Sequence, residues 1–173
     1  MGAQARRQQE GLSPIDVAPC GTVREALEAG KAASALVIDG RPYADAQTTE
    51  IAASANLVVI PTGPAVDDLE PGVLVAHGLV RSGVPKDRIR FALVGVDREA
   101  PVETRQAVDY IMAAGYQVLA GALPDKPSYR RALNTGRSPA ETRNPVTGEP
   151  YQSLNAAAIE LAESMADALL NTV

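Results

Sequence analysis

Ala35-Leu36-Val37-Ile38-Asp39-Gly40 is a run of four apolar residues that ends in an acid and a glycine. An unbroken apolar run of this length reads as a β-strand buried on both faces, the kind found in parallel sheets. That reading puts the Asp39 carboxylate at the C-terminal tip of the strand, the edge at which open α/β sheets hold ligands. Three further runs have the same character: Asn56-Leu57-Val58-Val59-Ile60-Pro61, Ile89 to Val96, and Gln117 to Leu123, which stops at Pro124. Helical patterns separate them. Residues 45–55 are rich in Ala. Asp67 or Asp68 suits a helix N-cap, and Leu69, Val73, Ala76 and Val80 then recur at helical spacing until Gly83 and Pro85. Pro101 opens a helix that carries Val108, Ile111 and Met112 and closes at Gly115. Strands alternating with helices predict right-handed βαβ crossovers. The expected fold is a three-layer α/β domain spanning residues 1–173, with a mostly parallel sheet and helices on both faces.

The flanks are less regular. Residues 1–13 read as a polar helix or a frayed end, and Pro14 to Ala18 as a short apolar strand. Thr22-Val23-Arg24-Glu25 has the capping-box pattern and starts a helix that Gly30 ends. A short helix is expected over about 128–134, and residues 135–150, rich in Gly, Pro, Thr and Arg, read as a loop. The last helix runs from about Ser153 to Leu170. Leu154, Ala158, Leu161, Met165 and Ala168 line one face, and Glu160, Glu163 and Asp167 the other.

A length of 173 residues suffices for one real core. With aromatics at 3% and no Trp, that core must be built from Ala, Val, Leu and Ile. The net charge of −5 gives no overall attraction to nucleic acid or anionic membrane, so any such binding has to be local. Cys20 is the single cysteine, which rules out an intrachain disulfide and suits a reducing compartment. His77, the single histidine, has no second one with which to share a metal. No run approaches the ~20 apolar residues of a membrane span, and the polar start has no apolar signal stretch; the expected location is cytoplasmic.

The chemistry lies at the predicted strand ends: Asp39-Gly40-Arg41-Pro42, Pro61-Thr62-Gly63-Pro64, Gly95-Val96-Asp97-Arg98 and Leu123-Pro124-Asp125. An acid at the position of Asp39 matches Walker B, where it holds a hydrated Mg²⁺ beside the nucleotide phosphates. The companion loop, G-x-x-x-x-G-K-[ST], is absent: Gly30-Lys31 is followed by Ala32, and Glu25 stands where its first glycine belongs.

In this order the four ends resemble the ParA/MinD family of deviant-Walker ATPases, most closely the small partition ATPases. Val37-Ile38-Asp39-Gly40-Arg41-Pro42 resembles the family's IIDxPP stretch. Leu57 to Leu69 resembles its vlIPxxPsxxDl strand and helix, and Phe91 to Asp97 its strand ending in NRvd. Leu123 to Pro139 resembles its i..r..y..A...G.s segment, and Gln4 to Arg7 its W..RR stretch. The likeness covers nearly the whole chain, with two departures. The phosphate loop and the D.DPQ strand after it are missing, and Gly95 replaces an adenine-contacting Asn.

The resemblance implies a P-loop NTPase-like fold without its first strand, binding ATP and Mg²⁺. It implies Asp39 as the magnesium residue. Nucleotide contacts would come from Asp39, Gly40, Thr62, Gly95, Asp97, Pro124 and Asp125. It further implies an ATP-closed homodimer, a ParB-like partner and non-specific DNA binding in plasmid or chromosome partition. Residues 125–143 carry Lys126, Arg130, Arg131, Arg137 and Arg143 against only Asp125 and Glu141, and this basic cluster suits phosphate contacts. Without backbone N–H groups to cradle phosphates, no useful ATPase activity is expected of this chain alone. The leading expectation is a fragment or truncated homologue of such a partition ATPase; the alternative is a non-hydrolysing pseudo-ATPase interaction module that dimerises or binds a partition partner. An unrelated doubly wound domain of the response-regulator kind would need an acidic cluster at its first strand, and the sequence has none there.

Overall fold

The computed structural model describes residues 3–40 and 46–172. Along the chain come α1 (Ala3–Gln9), α2 (Val23–Gly30), α3 (Ala46–Ser54), β1 (Val58–Thr62), α4 (Val66–Arg81) and β2 (Ile89–Val96). They are followed by α5 (Pro101–Ala113), β3 (Gln117–Pro124), α6 (Pro127–Asn134) and α7 (Gln152–Leu170). The three strands form one parallel sheet in the order β1-β2-β3.

Side chains leave a strand alternately on its two faces, so β2, in the middle, feeds two cores. Ile89, Phe91 and Leu93 enter the first, with Leu69, Val73, Ala76 and Leu79 of α4, and Ala107 and Ile111 of α5. Ala92 enters the second, with Leu119 of β3 and Leu161 and Ala168 of α7. This double burial is why β2 reads as a continuous apolar run. The architecture is α/β in three layers: α4 and α5, the sheet, and α7.

Two glycines set the layer spacing. A Cβ on Gly72 of α4 would sit 3.2 Å from the Phe91 ring, so the bare backbone lets that helix close on the sheet. Gly121 has φ +78°, and a Cβ there would lie 2.7 Å from the Leu161 backbone N of α7. Both the left-handed backbone and the close approach require glycine. The β2–β3 register shifts between Phe91 and Leu93, so an extra stretch of β3 around Gly121 bulges toward α7.

Several expectations are corrected. Residues 35–40 form no strand. Val37 is 87% exposed, and Leu36 turns back onto Gly30 at the end of α2, while Gly40 lies beside Ile51 of α3. The run thus bridges two helices. An apolar run becomes a strand only where a neighbour accepts its backbone hydrogen bonds, and no backbone bond joins residues 34–40 to another described residue. Arg41, Pro42 and Asp45 lie outside the described residues. Pro14 to Ala18 is likewise extended and exposed, with no strand partner. The N-cap of α4 is Ala65, with Asp67 and Asp68 in the first turn, where carboxylates favour the helix dipole. Met112 points outward at 60% exposure, and Ala107 takes the buried place on α5. The Thr22 hydroxyl accepts from the Glu25 N–H at 3.2 Å as expected, but the Glu25 carboxylate reaches the Gly21 N–H rather than that of Thr22.

Candidate functional site

Parallel strands carry all their C-terminal ends to one edge of the sheet. The structure brings three of the predicted ends to that edge: Thr62 pairs with Leu93, Val96 pairs with Pro124, and the Asp125 N–H donates to the Val96 carbonyl at 3.1 Å. Gly95 turns at φ +70°, and Asp97 lies just beyond it. The Asp97 and Asp125 carboxylates are exposed and locally engaged. Asp97 accepts from the Glu99 N–H at 2.9 Å, and Asp125 faces Arg130 at 3.6 Å. Pro124 is buried.

Of the remaining predicted nucleotide residues, Thr62 reaches the same edge at the end of β1, whereas Asp39 and Gly40 lie in no strand. Asp39 and Gly40 sit on the exposed bridge between α2 and α3. Thr62 is the last residue of β1 and only 5% exposed. Its hydroxyl donates to the Gly63 carbonyl at 3.3 Å and lies against Gly72 of α4. A group that faces a packed helix is not presented to a phosphate. Among the described residues, no three His, Cys, Asp or Glu side chains converge as a metal site. Asp39, the one carboxylate assigned to the ion, is exposed and lies in no strand.

The basic segment is organised differently. α6 ends at Asn134, and Gly136 reverses the chain at φ +77°, so that Arg137 follows Arg131 and Thr135 around one wall. The opposite wall is a tight turn. Arg143 bridges to Pro150, and the Asn144 side-chain oxygen accepts from the Val146 and Thr147 N–H groups at 2.8 and 3.2 Å. Arg131, Arg137 and Arg143, with Thr135 and Asn144, line an open cavity of about 390 Å³ that no acidic side chain lines. Arg143 donates to the Gly148 carbonyl at 2.8 Å and Arg131 to the Ser128 hydroxyl at 3.1 Å. Neither forms an ion pair among the described residues. Of the other basic residues predicted here, Arg130 is turned to Asp125, and Lys126 precedes α6 without lining the cavity.

The sequence gives no sign of what holds this wall. Arg7 of α1, 6% exposed, crosses 129 residues of sequence to donate to the Gly136 carbonyl at 2.8 Å. It also grips Glu141 with two bonds, at 2.8 and 3.1 Å, and donates to the Ser13 carbonyl at 3.0 Å. Hydrogen bonding from Arg7 holds the Glu141 carboxyl down at about 2. Next to it, Glu10 pairs with Arg137 at 2.6 Å. Arg7 and Glu10 lie too far in sequence from their partners Glu141 and Arg137 for spacing to link them.

No protein-family model matches the chain, and no curated protein is significantly similar to it. No helix among the described residues is long and apolar enough to cross a membrane.

Proposed function

We propose that the chain is a ParA-like module that binds DNA through backbone phosphates and does not itself hydrolyse nucleotide. The observation that carries this is the cavity in which Arg131, Arg137 and Arg143 converge without an acid in the lining. Forked guanidinium donors match phosphate oxygens in pairs, and Thr135 and Asn144 add neutral hydrogen-bonding groups of the kind that position a duplex without reading its sequence. In a protein of net charge −5, attraction to phosphate has to come from local basic clusters such as this one. The position of Asp39, exposed and in no strand, favours the non-hydrolysing form over a working ATPase. A homodimer and a ParB-like partner belong to the same reading through the resemblance.

The test is fluorescence anisotropy of a labelled mixed-sequence duplex across a salt series. Three phosphate contacts predict a slope of log K against log salt of about −3. R131A and R143A should each weaken binding on every sequence and reduce the slope by about one. Binding that ignores salt, or that survives the double variant, would refute the reading.

A further inference from the structure

Of the three arginines that line the cavity, Arg137 alone is held by an acid. Glu10 Oε2 lies 2.6 Å from its Nη2, and the side chains are 39% and 19% exposed. Arg137 Nη1 also donates to the Thr135 hydroxyl at 3.5 Å, and its Nε is buried without a hydrogen-bond partner among the described residues, so Nη2, the nitrogen held by Glu10, is the one a phosphate would compete for. Glu10 is not there by drift. It follows the last residue of α1, and Arg7, one turn earlier, is fastened to the carbonyl of Gly136, the neighbour of Arg137, and to Glu141. The clamp spends Glu141 on Arg7 and leaves Glu10 as the carboxylate facing Arg137.

We propose that Glu10 is a built-in competitor for this anion site. It occupies Arg137 in the free protein, and an incoming phosphate must displace it to engage all three arginines. The inference rests on the reading of the arginine cavity as a phosphate site. Carboxylate and phosphate compete for one fork of donors, and the exchange is inexpensive because a partly exposed ion pair contributes little. The Arg7 clamp keeps α1 in place while the Glu10 side chain swings away, so the competitor stays tethered and returns when the phosphate leaves. The effect is to lower affinity and to hold back weak or solitary anions.

The experiment compares wild type, E10Q, R137A and the E10Q/R137A double variant, with E149Q as a charge control. Glu149 adjoins the lining residue Gly148 and is exposed, so E149Q removes the same charge beside the cavity without releasing Arg137. Two probes are titrated, the mixed-sequence duplex and inorganic pyrophosphate. E10Q should bind the probe about 2- to 5-fold more tightly than wild type, and the gain should vanish in the R137A background. Equal gains from E10Q and E149Q, or a gain that persists without Arg137, would overturn the competitor role. Tighter pyrophosphate binding by E10Q with no duplex binding would uphold it and sink the DNA reading. No binding of either probe by wild type or E10Q would overturn both.

Discussion

Arg7 and Glu141 show how one pair can join distant parts of the chain. Their two hydrogen bonds tie α1 to the short turn after α6, and the Glu141 carboxylate also accepts from the Ser138 N–H at 2.8 Å. The folded-state value for Glu141, about 2, lies below its ordinary 4.5. A depressed carboxyl stabilises the fold above its unfolded value and loses that contribution as pH falls through the folded one. The pair therefore acts fully above about pH 4.5 and fades toward pH 2. Because the Glu141 side chain is one-third exposed, solvent screens part of this effect. Urea midpoints should fall for wild type between pH 5 and pH 2 more than for E141Q. R7K, which keeps the charge but not the fork, should lower the midpoint at pH 7 and lose most of that difference at pH 2. Parallel titrations of wild type and E141Q would exclude the pair as an acid-sensitive contact.

At the scale of elements, β2 and β3 were legible to within a residue, since each is an apolar run that finds parallel neighbours and is bounded by turn residues. Residues 35–38 carry the same signature and are not a strand. A run states that a segment prefers burial; it does not state whether a neighbour is there to pair with it. That is also why Asp39, the strongest site residue in the sequence, sits at the end of no strand, while Asp97 and Asp125 follow strands that pair. The arginine cluster was legible as composition, but its convergence was not. Convergence depends on Gly136 reversing the chain and on a clamp whose partners lie far apart in sequence. The difference between run and strand is measurable. V37D, at a position 87% exposed, should change stability by less than about 0.5 kcal/mol. Gly121→Ala, which combines a positive φ with contact against the α7 backbone, should cost about 2–4 kcal/mol. Chemical denaturation of both variants decides this, and a loss of 2 kcal/mol or more for V37D would place Val37 in a core.

For the whole molecule, the main consequence of the fold is the outer edge of β1. Among the described residues β1 pairs with β2 on one side only, and its Val58, Val59 and Ile60 stay half-buried while Ile89 and Phe91 of β2 are fully buried. α7 packs chiefly on β3, so the second core thins toward β1, where Leu57 and Val59 are only partly covered. An edge strand presents unpaired N–H and C=O groups that can template another strand. Pro61, without an N–H, interrupts that row, as prolines in edge strands do. One proline in five residues blunts the edge without closing it. In hydrogen exchange the β1 amides should therefore open locally and exchange ahead of those of β2, which should report global unfolding. Light scattering should rise with protein concentration, and V59K should suppress that rise at a stability cost of about 1–2 kcal/mol, because an inward-pointing charge on an edge strand disfavours pairing. Equal protection of β1 and β2 in a dilute monomer would mean that the edge is covered, and the association predicted from it would then have no structural basis.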